Sequence, residues 1–253
     1  MARRVVITGG ASGIGRTIAE RFAALGDRVA ICDASAGHIA EVQAQMPEAL
    51  SVQADVTDER QMQAFFDQVT AAYGGLDVLV SNAGIGGPAG SIGTLNLKDW
   101  RRCLSVNLDG AFLACRWAAE LMRAQKSGLI LLMSSTSGLY GVPNRAPYVT
   151  AKWGLVGLAK TLAMELGPAG VRVNAICPGA VEGARMDQVL AMESDFTGRP
   201  AAQIEAQYSQ GVSLRRFVSP DDIADMAVFL ASDAARQITG QAMAVDGHTE
   251  RMV

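Results

Sequence analysis

Seven short runs of the chain are apolar along most of their length: RVVIT (4–8), RVAIC (28–32), LSVQADV (50–56), LDVLVSN (76–82), GLILLMSS (128–135), VRVNAIC (171–177) and QAMAV (241–245). A strand with one wet face alternates apolar and polar residues. Nearly continuous apolar runs instead predict strands covered on both faces, as in a parallel sheet. Between the runs, Ala- and Leu-rich stretches with helical spacing predict helices over Ile14–Leu25, Ala36–Gln45, Asp58–Tyr73, Asp99–Ala124, Tyr148–Leu166 and Pro220–Ala231. Strand–helix alternation throughout implies right-handed crossovers and an α/β fold. The expected architecture is a doubly wound parallel sheet of about seven strands with helices on both faces. No low-complexity linker and no fixed-period repeat divides the 253 residues, so 1–253 reads as one domain.

One segment breaks this rhythm. From Val181 to Leu214 a tight connection is replaced by about thirty residues of mixed character that can form short amphipathic helices. It follows the end of a late strand, so a substrate lid at about 182–214 is expected over the carboxyl edge of the sheet.

Composition narrows the function classes. At 49% hydrophobic residues the chain can build a sizeable core, and its formal charge of −3 is not that of a nucleic-acid binder. Arg3-Arg4, Arg101-Arg102 and Arg215-Arg216 are isolated pairs with no longer basic run. Cys32, Cys103, Cys115 and Cys177 lack metal spacing, and His38 and His248 are the only histidines; no metal site is expected, and a Ser-His-Asp triad is poorly supplied. MARRVVITGG runs into a strand without a signal-peptide apolar region, and no apolar run reaches the roughly 18 residues of a membrane helix. These features predict a soluble, cytoplasmic protein that engages neither nucleic acid nor membrane.

The candidate chemistry begins after the first strand. Thr8-Gly9-Gly10-Ala11-Ser12-Gly13-Ile14-Gly15 puts glycines where the backbone must turn sharply and approach a ligand closely. Amides at the start of the following helix then face a diphosphate. Asp33, at the end of the second strand, can accept hydrogen bonds from adenosine ribose hydroxyls and would repel a 2′-phosphate, which favours NAD over NADP. Asp55-Val56 closes the third predicted strand, where Asp can meet an adenine amino group. Ser81-Asn82-Ala83-Gly84 closes the fourth with small residues that admit the adenosine half. Each is also ordinary turn chemistry when taken alone.

A second group lies in SSTSGLYGVPNRAPYVTAK (134–152). On a helix, Tyr148 and Lys152 share one face. A phenol near its usual pKa of roughly 10 is a poor base, but an adjacent ammonium favours the phenolate. Tyr148 can then take a proton from an alcohol as hydride leaves its carbon, or return it to a carbonyl. Ser135 can hold the substrate oxygen, and Lys152 can reach a nicotinamide ribose.

In TGGASGIG, Asp33, Asp55-Val56, SNAG, Asn107, Ser135, Tyr148-x-x-x-Lys152 and Pro178-Gly179, the chain resembles the short-chain dehydrogenase/reductase family over essentially its whole length. The resemblance implies a Rossmann sheet of seven parallel strands, a nicotinamide cofactor and a catalytic tetrad of Asn107, Ser135, Tyr148 and Lys152. Asn107 would hold a water near Lys152; read alone it suits a helix kink or packing. The resemblance also implies that Pro178, Gly179 and the Val181 backbone contact the nicotinamide end, and that the chain forms a homotetramer through the 99–124 and 148–166 helices and its C-terminal strand. Two departures stand out: Gly183 where the family often has Thr, and His248 where a second Gly is frequent, in a tail that can shape a neighbouring subunit's site.

The leading expectation is an NAD-dependent oxidoreductase acting on a small polyol, sugar, hydroxy acid or cyclic alcohol. A 3-oxoacyl or other ketone reductase is the enzymatic alternative, and a dinucleotide-binding regulatory protein the non-enzymatic one. The lid mixes Arg185, Arg199, Arg215 and Arg216 with Asp187, Glu193, Asp195 and Glu205. Solvated helix faces are the plainer reading, and an Arg clamp for a carboxylate or sulfonate the alternative. Met186, Met192, Phe196 and Tyr208 are expected to anchor the lid to the core or to line a pocket. Tyr140, Val142 and Asn144 are near enough to Ser135 to help select substrate, and Trp153 reads as packing.

Overall fold

The computed structural model describes residues 2–250. Seven strands, β1 (Arg4–Thr8), β2 (Arg28–Asp33), β3 (Leu50–Gln53), β4 (Val78–Ser81), β5 (Gly128–Met133), β6 (Val171–Pro178) and β7 (Ala242–Val245), form one sheet in the order β3-β2-β1-β4-β5-β6-β7. Every pairing is parallel; Val5, for example, lies in register with Val29 on one side and Val78 on the other. The chain therefore folds as the predicted single-domain, doubly wound sheet.

Alternation along each strand divides the core in two. Val5, Ile7, Val29, Ile31, Val80, Leu129 and Leu131 project to one face, against α1 (Gly13–Ala24), α2 (Ala36–Gln45) and α9 (Pro220–Leu230). Val6, Ala30, Leu79, Ile130, Leu132 and Val173 project to the other, against α3 (Glu59–Tyr73), α5 (Gly110–Gln125) and α6 (Ala146–Leu166). Both faces are dry, which is why the strands read as unbroken apolar runs rather than as alternating ones. The four cysteines are free and buried within these layers.

Two predicted boundaries need correction, and the predicted helical character of a third segment takes definite form. The third strand ends at Gln53, not at Val56. Ala54 still donates to the Asp33 carbonyl (2.9 Å), but the Asp55 carboxylate then accepts from the Thr57 N–H (2.9 Å) and hydroxyl (2.8 Å), turning the chain out of the sheet. The 99–124 helix is longer and interrupted. Helix α4 (Leu97–Leu104) passes into a π-helical turn, Ser105–Asp109, before α5 begins. The widened turn contains Asn107, in keeping with a helix kink there, and π-bulges recur at functional positions. Finally, the 182–214 segment contains two helices, α7 (Ala184–Thr197) and α8 (Ala201–Gln210). Met186, Leu190 and Ile204 bury their side chains between them, with Tyr208 and Phe217 alongside, whereas Phe196 is exposed.

This helical insertion is tied back at both ends. Val181 bridges Val218 in parallel, and Val212 bridges Thr249 antiparallel. His248 adopts a left-handed φ of 66°, which explains why glycine suits that position, and its carbonyl accepts from the Ser213 N–H (2.9 Å). The tail thus braces the insertion of its own chain.

Candidate active site

The strand order reverses between β1 and β4, and a crevice opens there at the carboxyl ends of the strands. The glycine turn follows β1, and Asn82-Ala83-Gly84 follows β4. They are bound together: the Asn82 side chain donates to the carbonyls of Thr8 (3.2 Å) and Gly9 (2.9 Å), and the Thr8 hydroxyl accepts from the N–H groups of Asn82 (3.1 Å) and Ala83 (3.2 Å). Gly9 has φ 61°, and a methyl group added there would lie 2.8 Å from the Ala83 Cα. One added at Gly15 would lie 2.1 Å from the Gly9 oxygen. The turn can close only without these side chains. Ser12 stands at the N-terminus of α1 with its side chain making no capping bond, and Gly13, with φ 49°, has open space where a side chain would project. Ile14 is half-buried against the α1 side of the core.

Asp33 extends from β2 toward the same turn. Its carboxylate accepts from the N–H groups of Ala11 (3.3 Å) and Ser35 (3.0 Å) and remains partly exposed. Arg16, directly after the turn, is engaged by Glu20, Glu41 and Gln45. Asp55 lies beyond β3 with one carboxylate oxygen occupied by Thr57, and Val56 packs against Gly110, where an added methyl would meet it at 2.8 Å.

The other half of the crevice is built on the contact of α6 with the end of β5. The Lys152 ammonium is buried, with 3% exposure, and donates to the Met133 carbonyl (2.8 Å). The Ser134 hydroxyl donates to the Lys152 carbonyl (2.8 Å), and Gly138 lies so close that an added methyl would be 2.7 Å from that carbonyl oxygen. Neither Ser134 nor Gly138 is apparent from its sequence neighbourhood as part of the site. The close approach of helix and loop is visible only in three dimensions.

Lys152 and Tyr148 share a face of α6, with the lysine Nζ 5.5 Å from the centre of the phenol ring. The Ser135 hydroxyl accepts from the Ser137 N–H (3.1 Å). Burial by itself would raise the pKa of Tyr148, but Lys152, Arg185, the Ser135 hydroxyl and Arg145 outweigh it, so the phenol lies below the ordinary tyrosine value. Burial likewise pushes the Lys152 ammonium down, opposed by Tyr148 and reinforced by Arg185. Both groups are thereby drawn down from the alkaline end of the pH scale.

Asn107 completes this cluster. Its amide nitrogen donates to the carbonyls of Ile85 and Cys103, each at 2.9 Å, while its buried Oδ1 has no partner. That oxygen is beside Gly84: a methyl group added there would lie 2.5 Å from it and 3.4 Å from the Lys152 Nζ. The orphaned acceptor and the ammonium therefore border the same small space. Pro178 ends β6; Gly179 donates to the Val245 carbonyl (3.0 Å) and lies too close to Asp246 for a side chain. The Val181–Val218 bridge uses the Ala180 carbonyl and the Glu182 N–H, so the N–H and C=O of Val181 point away from it. Gly183 takes φ 116°, a conformation closed to the threonine the resemblance leads one to expect.

Two arginines border the tyrosine. Arg145, three residues before it, places its guanidinium carbon 5.4 Å from the ring centre, and Arg185 of α7 donates to the Gly84 carbonyl (3.0 Å). Arg145 escaped the reading of the sequence, although its i−3 spacing from Tyr148 is a recognisable signal. Of the other positions considered, Tyr140 and Trp153 are largely exposed, joined by a bond from the Trp153 indole to the Tyr140 carbonyl (3.4 Å). Among the described residues no cluster of His, Cys, Asp and Glu is placed to hold a metal ion, and no helix is long and apolar enough to cross a membrane.

A family model described as enoyl-(acyl carrier protein) reductase matches residues 9–248. The chain belongs to the short-chain dehydrogenase/reductase family. It is 34% identical to the 3-oxoacyl-(acyl-carrier-protein) reductase of Staphylococcus aureus, covering 98% of each chain. It is 39% identical to 2-(S)-hydroxypropyl-CoM dehydrogenase 3 of Xanthobacter autotrophicus, covering 96% of this chain and 94% of the relative. With the cis-4-hydroxycyclohexanecarboxylate dehydrogenase of Sinomonas cyclohexanicum it shares 36% identity over 97% and 95% of the two chains. Among solved structures, a variant of actinorhodin polyketide ketoreductase with NADPH superposes with a TM-score of 0.94 at 32% identity, covering 99% and 100% of the chains. An NAD+-bound xylitol dehydrogenase superposes with a TM-score of 0.90 at 27% identity, covering 95% and 96%. The protein is thus an oxidoreductase of alcohol and ketone substrates with a nicotinamide cofactor.

The glycine turn yields a direct test. Gly15→Ala forces a methyl group against the Gly9 carbonyl and the Asn82 amide; overpacking of this kind costs about 1–3 kcal/mol. Denaturant titration should register that loss, and fluorescence titration a fall in dinucleotide affinity of roughly tenfold or more. An unchanged midpoint and affinity would show that the turn is looser than described.

Proposed function

We propose that the protein is an NAD-dependent dehydrogenase of a small secondary alcohol, in which Tyr148 acts as general acid/base within a tetrad with Asn107, Ser135 and Lys152. The observation that carries this reading is a buried Lys152 ammonium 5.5 Å from the Tyr148 ring on the same helix face, which helps hold the phenol below the ordinary tyrosine value. When bound, the nicotinamide supplies hydride acceptance from the alcohol carbon or its return to the carbonyl. Tyr148 removes the hydroxyl proton, and Ser135 orients the oxygen from which it comes. Lys152 favours the phenolate and hydrogen-bonds the nicotinamide ribose. A water held by the unpartnered Asn107 Oδ1 connects the ammonium to solvent, which gives that buried acceptor the hydrogen bond it otherwise lacks.

The dinucleotide fits the chain's own geometry. Gly9, Ser12, Gly13, Ile14 and Gly15 would line the diphosphate, where added side chains have no room or the backbone is left-handed. Asp33 would accept from the adenosine ribose, Asp55 and Val56 would border adenine, and Asn82, Ala83 and Gly84 would lie along the adenosine half. Pro178 and Gly179 would flank the nicotinamide, and the Val181 N–H and C=O would take its carboxamide. The 182–214 insertion would act as the substrate lid. For NAD over NADP, the support is an Asp33 carboxylate beside the turn and an Arg16 already engaged by two glutamates.

Free, buried cysteines fit a reducing cytoplasm. A homotetramer is supported by exposed apolar residues on the helices that would form it, Phe112 on α5 and Trp153 and Met164 on α6.

Four measurements test these assignments. Tyr148→Phe should lower kcat by roughly 100- to 10,000-fold while NAD still binds, and substantial residual turnover would remove Tyr148 from the proton path. Because oxidation uses the deprotonated phenol and its pKa is lowered, kcat/KM for the alcohol should rise with pH and level off with a midpoint below about 10; ketone reduction should fall along the same limb. Replacing Asp33 with Ala should raise KM for NAD roughly tenfold and erase most discrimination against NADP, whereas strong NADPH preference in the unaltered enzyme would favour the reductase reading. Light scattering should give about four times the 26.5 kDa chain mass, and a monomer mass would overturn the tetramer.

A further inference from the structure

We infer that the substrate of this enzyme carries an oxyanion, a carboxylate or a sulfonate, only a few bonds from its carbinol, and that Arg145 is the residue that binds it, with Arg185 as a second arm. The inference rests on the dehydrogenase reading above and extends it from a reaction to a substrate class.

Arg145 is 8% exposed. Of its guanidinium donors, Nη2 reaches the Gly86 carbonyl at 3.2 Å, while Nε and Nη1 are buried without a partner. A guanidinium remains charged at any pH the protein experiences, so burial cannot be relieved by loss of a proton. Among the described residues no salt bridge includes Arg145 or Arg185. A buried, uncompensated charge with idle donors is costly, and structures keep one where a counter-ion arrives from outside.

The location identifies that visitor. Arg145 and Lys152 lie one helical turn before and after Tyr148 and flank its ring at 5.4 and 5.5 Å. The charges acting most strongly on the Tyr148 phenol are Lys152, Arg185 and Arg145, all cations. The influence of Arg145 also reaches Tyr208 of α8, whose hydroxyl donates to Glu193 of α7 (2.7 Å). The guanidinium thus lies beside the proton-transfer group and within electrostatic reach of the helical insertion. Arg185 approaches from α7 and is held by the Gly84 carbonyl beside the same space. A guanidinium whose Nε and Nη1 donors lack partners can meet the oxygens of a carboxylate or sulfonate. Its nearness to the phenol ring requires a compact acid, because a long acyl chain would carry any charge beyond reach.

The test compares acids with neutral isosteres. Substrates are 3-hydroxybutanoate and its amide, 4-hydroxycyclohexanecarboxylate and its amide, and 2-hydroxypropanesulfonate, assayed with the unaltered enzyme, Arg145→Met, Arg145→Lys and Arg185→Met. The acids should exceed their amides in kcat/KM by roughly 10- to 100-fold, mainly through KM. Arg145→Met should collapse that ratio to a few-fold, Arg145→Lys should restore part of it, and Arg185→Met should reduce it less. Comparison of the carboxylates with the sulfonate identifies which oxyanion is preferred. Amides used as well as acids by the unaltered enzyme, or a ratio unmoved by Arg145→Met, would overturn the inference and leave the dehydrogenase reading intact. Calorimetric titration of cyclohexanecarboxylate into the NAD-saturated protein provides a readout independent of turnover. Binding lost in Arg145→Met and partly kept in Arg145→Lys, with NAD affinity unchanged, supports the site even if no alcohol is oxidised, whereas equal binding of carboxylate and carboxamide overturns it.

Discussion

The structure depends on one buried cation. Lys152 carries its ammonium into the seam between α6 and the end of β5, where only the Met133 carbonyl receives it among the protein hydrogen bonds. That bond, with Ser134 donating to the Lys152 carbonyl and Gly138 admitting the helix at close range, fixes α6 relative to the sheet. The position of the Tyr148 ring, one turn away on the same helix face, follows. A surface lysine at the same spacing would be screened by water and would do little to the phenol. Burial strengthens its field, and the cost of burial appears as the lowered pKa of the lysine itself.

The two halves of the crevice obey different constraints. On the β1 side the demand is for absence: Gly9 and Gly15 leave room for one another, for Ala83 and for the Asn82 amide that joins the ends of β1 and β4. On the α6 side the demand is for charge in a dry setting, met by Lys152, Arg145 and the unpartnered Asn107 oxygen. A glycine turn is a local backbone requirement, whereas a field at a phenol sums contributions from α6, α7 and the loop after β4. The first is therefore tolerant of changes elsewhere in the sheet, and the second is sensitive to the packing of every element around it.

The fold was legible because a parallel sheet with two dry faces writes continuous apolar runs into the chain, and each predicted run overlaps an observed strand. Tyr148 and Lys152 were legible because i and i+4 share a helix face whatever the rest of the chain does. Boundaries were less so: β3 stops at Gln53 because an Asp55–Thr57 turn competes with the ladder, and the 99–124 helix hides a π-turn that apolar spacing does not reveal.

What the sequence by itself determined is therefore whatever depends on near neighbours in the chain: strand and helix type, the glycine turn, the tyrosine–lysine pair. Only the tertiary structure decided that Asn107 turns a bare acceptor toward the space beside Lys152, that Arg185 reaches across to Gly84, and that Arg145 lies buried with donors idle. Burial and hydrogen-bond satisfaction are properties of residues brought together from distant parts of the chain. No local pattern encodes them, because the same arginine on an exposed turn would be solvated and chemically silent.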